Sequence, residues 1–299
     1  MKNKIEQLKK EKNAVIMAHY YAPCEVQEVA DYIGDSFYLA KIAKQSDAEI
    51  IVFCGVQFMG ESAKTLNPHK KVLMPDPTAD CAMAHMVKNG IIDEMKSKYD
   101  DLAVVCYINS TAELKAVSDV CVTSSNAVKI VKALPNKNIF FIPDRNLGRF
   151  VAQQVPEKNI ILNDGCCPIH AKITAKQITA EKEKHPNAKV LSHPECEAEV
   201  LKLSDYIGST ADIIAFAKTD ESSEYIICTE DGVNYKLITD NPHKRFYYPL
   251  PHPCCQDMKL NTLESVLSVL EKEDKEITIS EDIRLKALIP LERMLELGL

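Results

Sequence analysis

Glycine is scarce in this chain, 9 among 299 residues, and no low-complexity linker interrupts it. The units it contains are therefore expected to pack tightly, without flexible tethers. No apolar run is long enough to span a membrane, and the N-terminal MKNKIEQLKKEK has no apolar signal-type segment. Both absences point to a cytoplasmic chain with no membrane partner. Basic residues are also in deficit: 36 Lys and Arg face 43 Asp and Glu, a net charge of −7, and no basic stripe occurs. Nucleic acid is a poor partner for such a surface. Close Cys-x-x-Cys pairs, the usual mark of structural zinc, are missing as well. What the chain does have is cysteine, 11 residues in all. The number is odd, the chain is not small, and no export signal is visible, so a disulfide framework is not expected. Some of these cysteines should be buried apolar residues and others metal ligands.

An internal repeat organises the sequence. IMAHYYAPCEVQEVADYIGDS ends at Ser36, VVCYINSTAELKAVSDVCVTS at Ser124, and KVLSHPECEAEVLKLSDYIGST at Thr210. Each reads as a short strand, a polar turn, an amphipathic helix, an Asp, a second strand and a Ser/Thr cluster. Asp31, Asp119 and Asp205 mark the register, 88 and 86 residues apart. Such a period implies symmetric or stacked units. A third and a fourth apolar run follow in each unit, separated by helical periodicity. Four strands alternating with helices imply parallel sheets covered on both faces. The expected fold class is α/β: three repeated α/β/α sandwich domains, spanning 1–82, 83–170 and 171–258. A helical tail, 259–299, is expected to pack back on the first repeat.

The fourth strand of each unit is expected to end in a cysteine. These are Cys81, Cys167 and Cys255, 86 and 88 residues apart. Three units around a pseudo-threefold axis could bring one thiolate each to a common point, which suits an iron–sulfur cluster. Three cysteines would leave one iron of a cubane without a protein ligand, able to act as a Lewis acid. The ordinary role of a lone cysteine is that of a small buried hydrophobe. That role is assigned to Cys54, Cys106, Cys121 and Cys228, which lie inside apolar strand patterns, and also to Cys24 and Cys196. Cys166 and Cys254 adjoin two of the proposed ligands and compete with them. Zinc is the alternative metal.

Polar residues recur in the same register. Twelve positions before each repeat Asp stand His19, Tyr107 and His193; ten before stand Tyr21, Asn109 and Glu195; five after stand Ser36, Ser124 and Thr210. All nine fall at the carboxyl ends of strands, where open α/β sheets bind ligands. A Ser or Thr at a helix start usually caps free N–H groups, but helix starts also favour anions. Three converging starts would suit substrates bearing several anionic groups. Glu195 is the only acidic member of its trio and the natural general base, with Tyr21 as an acid/base partner.

These residues, taken together, resemble the quinolinate synthase family. The resemblance rests on AHYY at His19, GDS at Ser36, YINST at Tyr107, TSSNA at Ser124, PDRNLG at Asp144, CPIH at Cys167, HPEC at His193, GST at Ser209 and CxxMxxNTLE from Cys255. It covers essentially the whole chain. It implies three α/β/α domains with pseudo-threefold symmetry around a central active site. It implies a 4Fe–4S cluster on Cys81, Cys167 and Cys255, the second cysteine being chosen from each doubled pair. It implies a condensing and dehydrating transferase that makes quinolinate, phosphate and two waters from iminoaspartate and dihydroxyacetone phosphate, for NAD biosynthesis. A functional link to an aspartate oxidase or dehydrogenase supplying iminoaspartate follows. His19, Ser36, Tyr107, Asn109, Ser124, His193, Glu195 and Thr210 match substrate-binding positions, and Glu195, Tyr21 and His19 match catalytic ones. The C-terminal cysteine trio that allows a regulatory disulfide in some members is lacking, so no such switch is expected. Two other readings remain open: a different cluster-dependent dehydratase or reductase, and a cluster-bearing carrier or iron sensor without turnover.

Overall fold

The computed structural model describes residues 1–298. Among these residues the apolar runs form twelve strands. In the first unit these are β1 (Ala14–His19), β2 (Tyr32–Gly34), β3 (Ile50–Cys54) and β4 (Lys71–Leu73). The second unit holds β5 (Leu102–Tyr107), β6 (Val120–Val122), β7 (Asn138–Ile142) and β8 (Asn159–Leu162). The third holds β9 (Lys189–Ser192), β10 (Tyr206–Ile207), β11 (Glu224–Cys228) and β12 (Arg245–Tyr247). Each unit makes one four-stranded sheet in the order second, first, third, fourth, and every pairing within these sheets is parallel. The fold is thus α/β, with three parallel sheets flanked by helices. The inner strands are covered on both faces and accordingly read as unbroken apolar runs: all five residues of β3 are buried.

The repeat Asp has a structural task that explains its register. Asp31, Asp119 and Asp205 each accept the N–H of a residue in the neighbouring first strand, Ile16, Val104 and Val190, at 2.8, 2.7 and 2.8 Å. Each also donates its own N–H to the carbonyl of that same residue at 2.9 Å. This reciprocal pair locks the second strand beside the first, so the carboxylate is a strand clasp and not part of a site.

Beyond each second strand the chain turns into a helix: Ser36–Gln45, Ala127–Ala133 and Thr210–Thr219. Asp35 caps the first through the Tyr38 N–H, and Ser209 with Asp212 forms a capping box on the third. The N-termini of these helices therefore point to the carboxyl edges of their sheets.

The tail divides between two units. Helix Leu263–Lys272 does lie on the first unit, with Val266, Val269 and Leu270 buried against Ile5, Ile16 and Val52. The next residues add to the sheet edge, where Ile277 donates to the Val72 carbonyl. The last helix, Glu281–Leu297, lies instead chiefly against the second unit, on helix Ala112–Ala116 and β6, with helix Gln57–Leu66 beside it. The reason is apolar: Leu291 and Met294 complete a core that the first two units share, whereas the third unit has separate apolar clusters.

Candidate active site

One cavity collects side chains from the carboxyl edges of all three sheets. Counted with the solvent at its open mouth, it spans about 850 Å³. Every candidate site residue drawn from the repeat lines it. The three cysteines, Cys81, Cys167 and Cys255, do so. So do His19, Tyr107 and His193, then Tyr21, Asn109 and Glu195, and finally Ser36, Ser124 and Thr210. Cys166 and Cys254 are not among the lining residues. The walls differ in character: the first unit supplies an apolar side through Val56, Phe58 and Met59.

The cysteines do not end the fourth strands, as the sequence suggested. They lie on loops beyond them. Cys81 immediately precedes the short turn Ala82–His85, and Cys255 precedes Gln256–Lys259. Backbone N–H groups of Met83 and Ala84 approach the Cys81 sulfur, those of Met258 and Asp257 approach Cys255, and that of His170 approaches Cys167. Such donors favour thiolate. Burial acts against it, pushing the thiols of Cys81 and Cys255 up to about 12 and about 11. Free of metal these sulfurs hold their protons, and a metal binding there displaces them.

His19 and His193 play matched roles in the first and third units. The Nδ1 of His19 accepts the Tyr21 N–H at 3.1 Å, and the Nδ1 of His193 accepts the Glu195 N–H at 3.3 Å. Burial lowers both imidazoles to about 3, so they are neutral at physiological pH. A neutral ring that accepts at Nδ1 carries its proton on Nε2. Each ring is thereby set as a hydrogen-bond donor through Nε2.

Glu195 is buried, which raises a carboxyl, yet its pKa is held down at about 2, chiefly by the His170 ring and with help from the Tyr107 hydroxyl. Its Oε2 lies 2.6 Å from His170 Nδ1. An ionised carboxylate can only accept, so Nδ1 donates. His170 Nε2 is 2.9 Å from the Thr229 hydroxyl, which is 2.8 Å from the Tyr21 hydroxyl, which is 2.7 Å from the Thr210 hydroxyl. One continuous chain thus joins Thr210, Tyr21, Thr229, His170 and Glu195. Burial raises the Tyr21 phenol well above its ordinary value, so it stays protonated.

Two buried acceptors of the cavity wall, Asn109 Oδ1 and Glu195 Oε1, have no protein partner. In a native fold such atoms call for a polar ligand or water. Ser36 and Thr210 are the first residues of ten-residue helices, whereas Ser124 lies on the turn before helix Ala127–Ala133. Among the described residues, neither Lys nor Arg lines the cavity. Lys259 donates to the Tyr21 carbonyl at 2.8 Å and is paired with Glu230, also at 2.8 Å.

Sequence reasoning gave no role to Thr229 or Glu230 and touched Asp144 and His170 only within the PDRNLG and CPIH motifs. The register counterparts of His170, three residues after each cysteine, are Ala84 and Met258, so no polar pattern marked the position. Asp144 and Glu230 were within reach. Counting 25 residues forward from each repeat Asp lands on Val56, Asp144 and Glu230, the residues just past the third strands. Burial, joined for Asp144 by the charge of Glu195, pushes both carboxyls up to about 7.

Comparison with known proteins identifies related chains. The profile of the NadA family, described as quinolinate synthetase A protein, matches residues 3–296. A quinolinate synthase of Fusobacterium nucleatum subsp. nucleatum is 53% identical over 298 residues, covering 100% of this chain and 99% of that protein. One from Caldicellulosiruptor bescii is also 53% identical over 298 residues, covering 100% and 98%. One from Clostridioides difficile is 49% identical over 294 residues, covering 98% and 97%.

Proposed function

This chain belongs to the quinolinate synthetase A family, and from that premise we propose that it condenses iminoaspartate with dihydroxyacetone phosphate, giving quinolinate, phosphate and two waters for NAD biosynthesis. The observation that carries the reading is the convergence of twelve repeat-related side chains, four from each unit, on one cavity.

The donor set fits a cluster on Cys81, Cys167 and Cys255. Thiolates are the ligands of iron–sulfur clusters, and each of these sulfurs faces backbone N–H donors. The three sulfurs line one cavity, one from each unit, an arrangement suited to a group that takes one thiolate from each. When bound, a cluster with one iron lacking a protein thiolate supplies Lewis-acid chemistry toward substrate oxygen.

The protein's own groups account for the rest. The two substrates bring two carboxylates and a phosphate. The helix starts at Ser36 and Thr210 and the turn at Ser124 offer N–H and hydroxyl donors for three anionic groups. The Nε2–H groups of His19 and His193 add two more donors. Asn109 Oδ1 and Glu195 Oε1 are left to accept from substrate N–H or O–H. Closing the pyridine ring requires removal of carbon-bound protons and two dehydrations. With its pKa held low, Glu195 is a weak base by itself. The chain of hydroxyls lets Tyr21 take a substrate proton while passing its own through Thr229 to His170. Glu195 then stabilises the charge on the imidazole.

The test is anaerobic purification, iron and sulfide counting, and a quinolinate assay with both substrates. Equal iron and sulfide together with quinolinate formation is expected. A fully loaded protein that forms no quinolinate would overturn the reading.

A further inference from the structure

The loops that carry the three cysteines are moored to the sheets in the same way in every unit. The residue after position 56, 144 or 230 donates its N–H to the carbonyl two residues before the cysteine. These bonds are Gln57 to Ala79, Arg145 to Gly165 and Asp231 to Pro253, at 2.8, 2.7 and 2.8 Å. In the second and third units a side chain adds a further tie. Asp144 is fully buried; its Oδ1 accepts the Leu147 N–H at 2.7 Å and its Oδ2 accepts the Cys167 N–H at 2.8 Å. Glu230 is 1% exposed; its Oε2 accepts the Gly232 N–H at 2.7 Å and its Oε1 accepts the Cys255 N–H at 3.0 Å. The first unit has Val56 at this position, and there Cys81 donates instead to the adjacent Asp80 at 2.7 Å.

We propose that Asp144 and Glu230 are positioning residues for the cluster, each carboxylate bridging the helical turn after its third strand to the peptide N–H of a ligand cysteine. The proposal rests on the cluster reading above. A cysteine sulfur is placed by its own Cα, and a loop held by a single backbone bond can pivot about it. The carboxylate supplies a second point of attachment on the cysteine residue itself, anchored to the rigid end of a central strand. Outer-shell partners of this kind orient metal ligands. Cys81 has only a sequence neighbour in that role, so its loop is the least firmly tied of the three.

The experiment uses the full chain, reconstituted anaerobically, as wild type, Asp144→Asn and Glu230→Gln. Asparagine caps helices as well as aspartate, so Asp144→Asn keeps the cap on Leu147 while turning an amide N–H₂ toward the Cys167 N–H. Glu230→Gln does the same toward Cys255. Iron release to a chelator should accelerate by about 10- to 100-fold in each variant. The electron paramagnetic resonance spectrum of the reduced cluster should shift as well. A purely structural role would lower the melting temperature of the apoprotein and leave release rate and spectrum unchanged, and that result would overturn the proposal. If wild-type protein takes up no iron and sulfide, the cluster reading itself fails, and this inference with it.

Discussion

A buried carboxylate stays ionised only when donors surround it, and Glu195 has His170 at 2.6 Å for that purpose. Glu195→Gln preserves shape but removes the charge that orients and stabilises the imidazole. Turnover should fall by about 10²–10⁴-fold, the usual worth of acid–base assistance, with iron content retained. Tyr21→Phe breaks the same chain at its substrate end and should cost a similar factor. Near-normal turnover of iron-replete Tyr21→Phe would rule out the hydroxyl chain as the proton route. Cys81→Ser, Cys167→Ser and Cys255→Ser should each abolish the cluster absorbance, whereas Cys166→Ser and Cys254→Ser should leave it. His193 makes a pH prediction. Its pKa is pushed from 6.5 down to about 3, mainly by burial. The unfolded chain therefore takes up a proton below pH 6.5 that the folded chain refuses. The stability His193 contributes is complete above that pH and is lost as pH falls, at about 1.4 kcal/mol per pH unit. Asp144 and Glu230, pushed up to about 7, act in the opposite sense between their ordinary values and 7. The readout is therefore a difference: between about pH 6 and pH 4.5, denaturation of wild-type apoprotein should steepen relative to His193→Asn. Parallel curves would show that His193 is not held neutral by the fold.

Among the elements, the last helix carries the clearest consequence of burial. Leu291 is fully buried in the apolar cluster that joins the first two units. Leu291→Ala should destabilise the protein by about 2–5 kcal/mol, as cavity-forming core changes do, measured by chemical denaturation. A cost below about 1 kcal/mol would mean that this helix does not seal the shared core. The loop at Tyr21 depends on an element from the opposite side of the site. A Cβ on Gly232 would lie 2.7 Å from the Tyr21 Cα and 2.8 Å from its carbonyl oxygen. Backbone cannot yield as a flexible side chain does, so only glycine permits this approach.

At the scale of the whole molecule, three units meet around one site, and each contributes one proposed cluster ligand. A ligand that binds only the assembled state stabilises that state by mass action. Loaded protein should melt above apoprotein, by about 2–4 °C for each kcal/mol gained. Equal melting temperatures before and after chelation would show that the cluster does not tie the units together. The third unit should respond most, because its apolar clusters are its own while the other two units share a core.

The sequence by itself determined what repeats. Apolar periodicity dictated four strands per unit, because a strand buried on both faces must be apolar throughout. A common register marked His19, Tyr21, Ser36 and their counterparts, because equivalent positions in copied units fall at equivalent sheet edges. Only the tertiary structure decided what does not repeat. His170 has apolar counterparts, Ala84 and Met258, three residues after the other cysteines, and its contacts with Glu195 and Thr229 exist only once two units meet. The Asp of the register proved to be a strand clasp, since a hydrogen-bond partner 15 residues away is visible only once two strands lie side by side. The final helix lies across the first two units because its apolar stripe matches a surface that both must assemble before it exists. Glu195 became an ionised end of a hydrogen-bond chain, because the protonation of a buried group is set by neighbours that the linear order keeps apart.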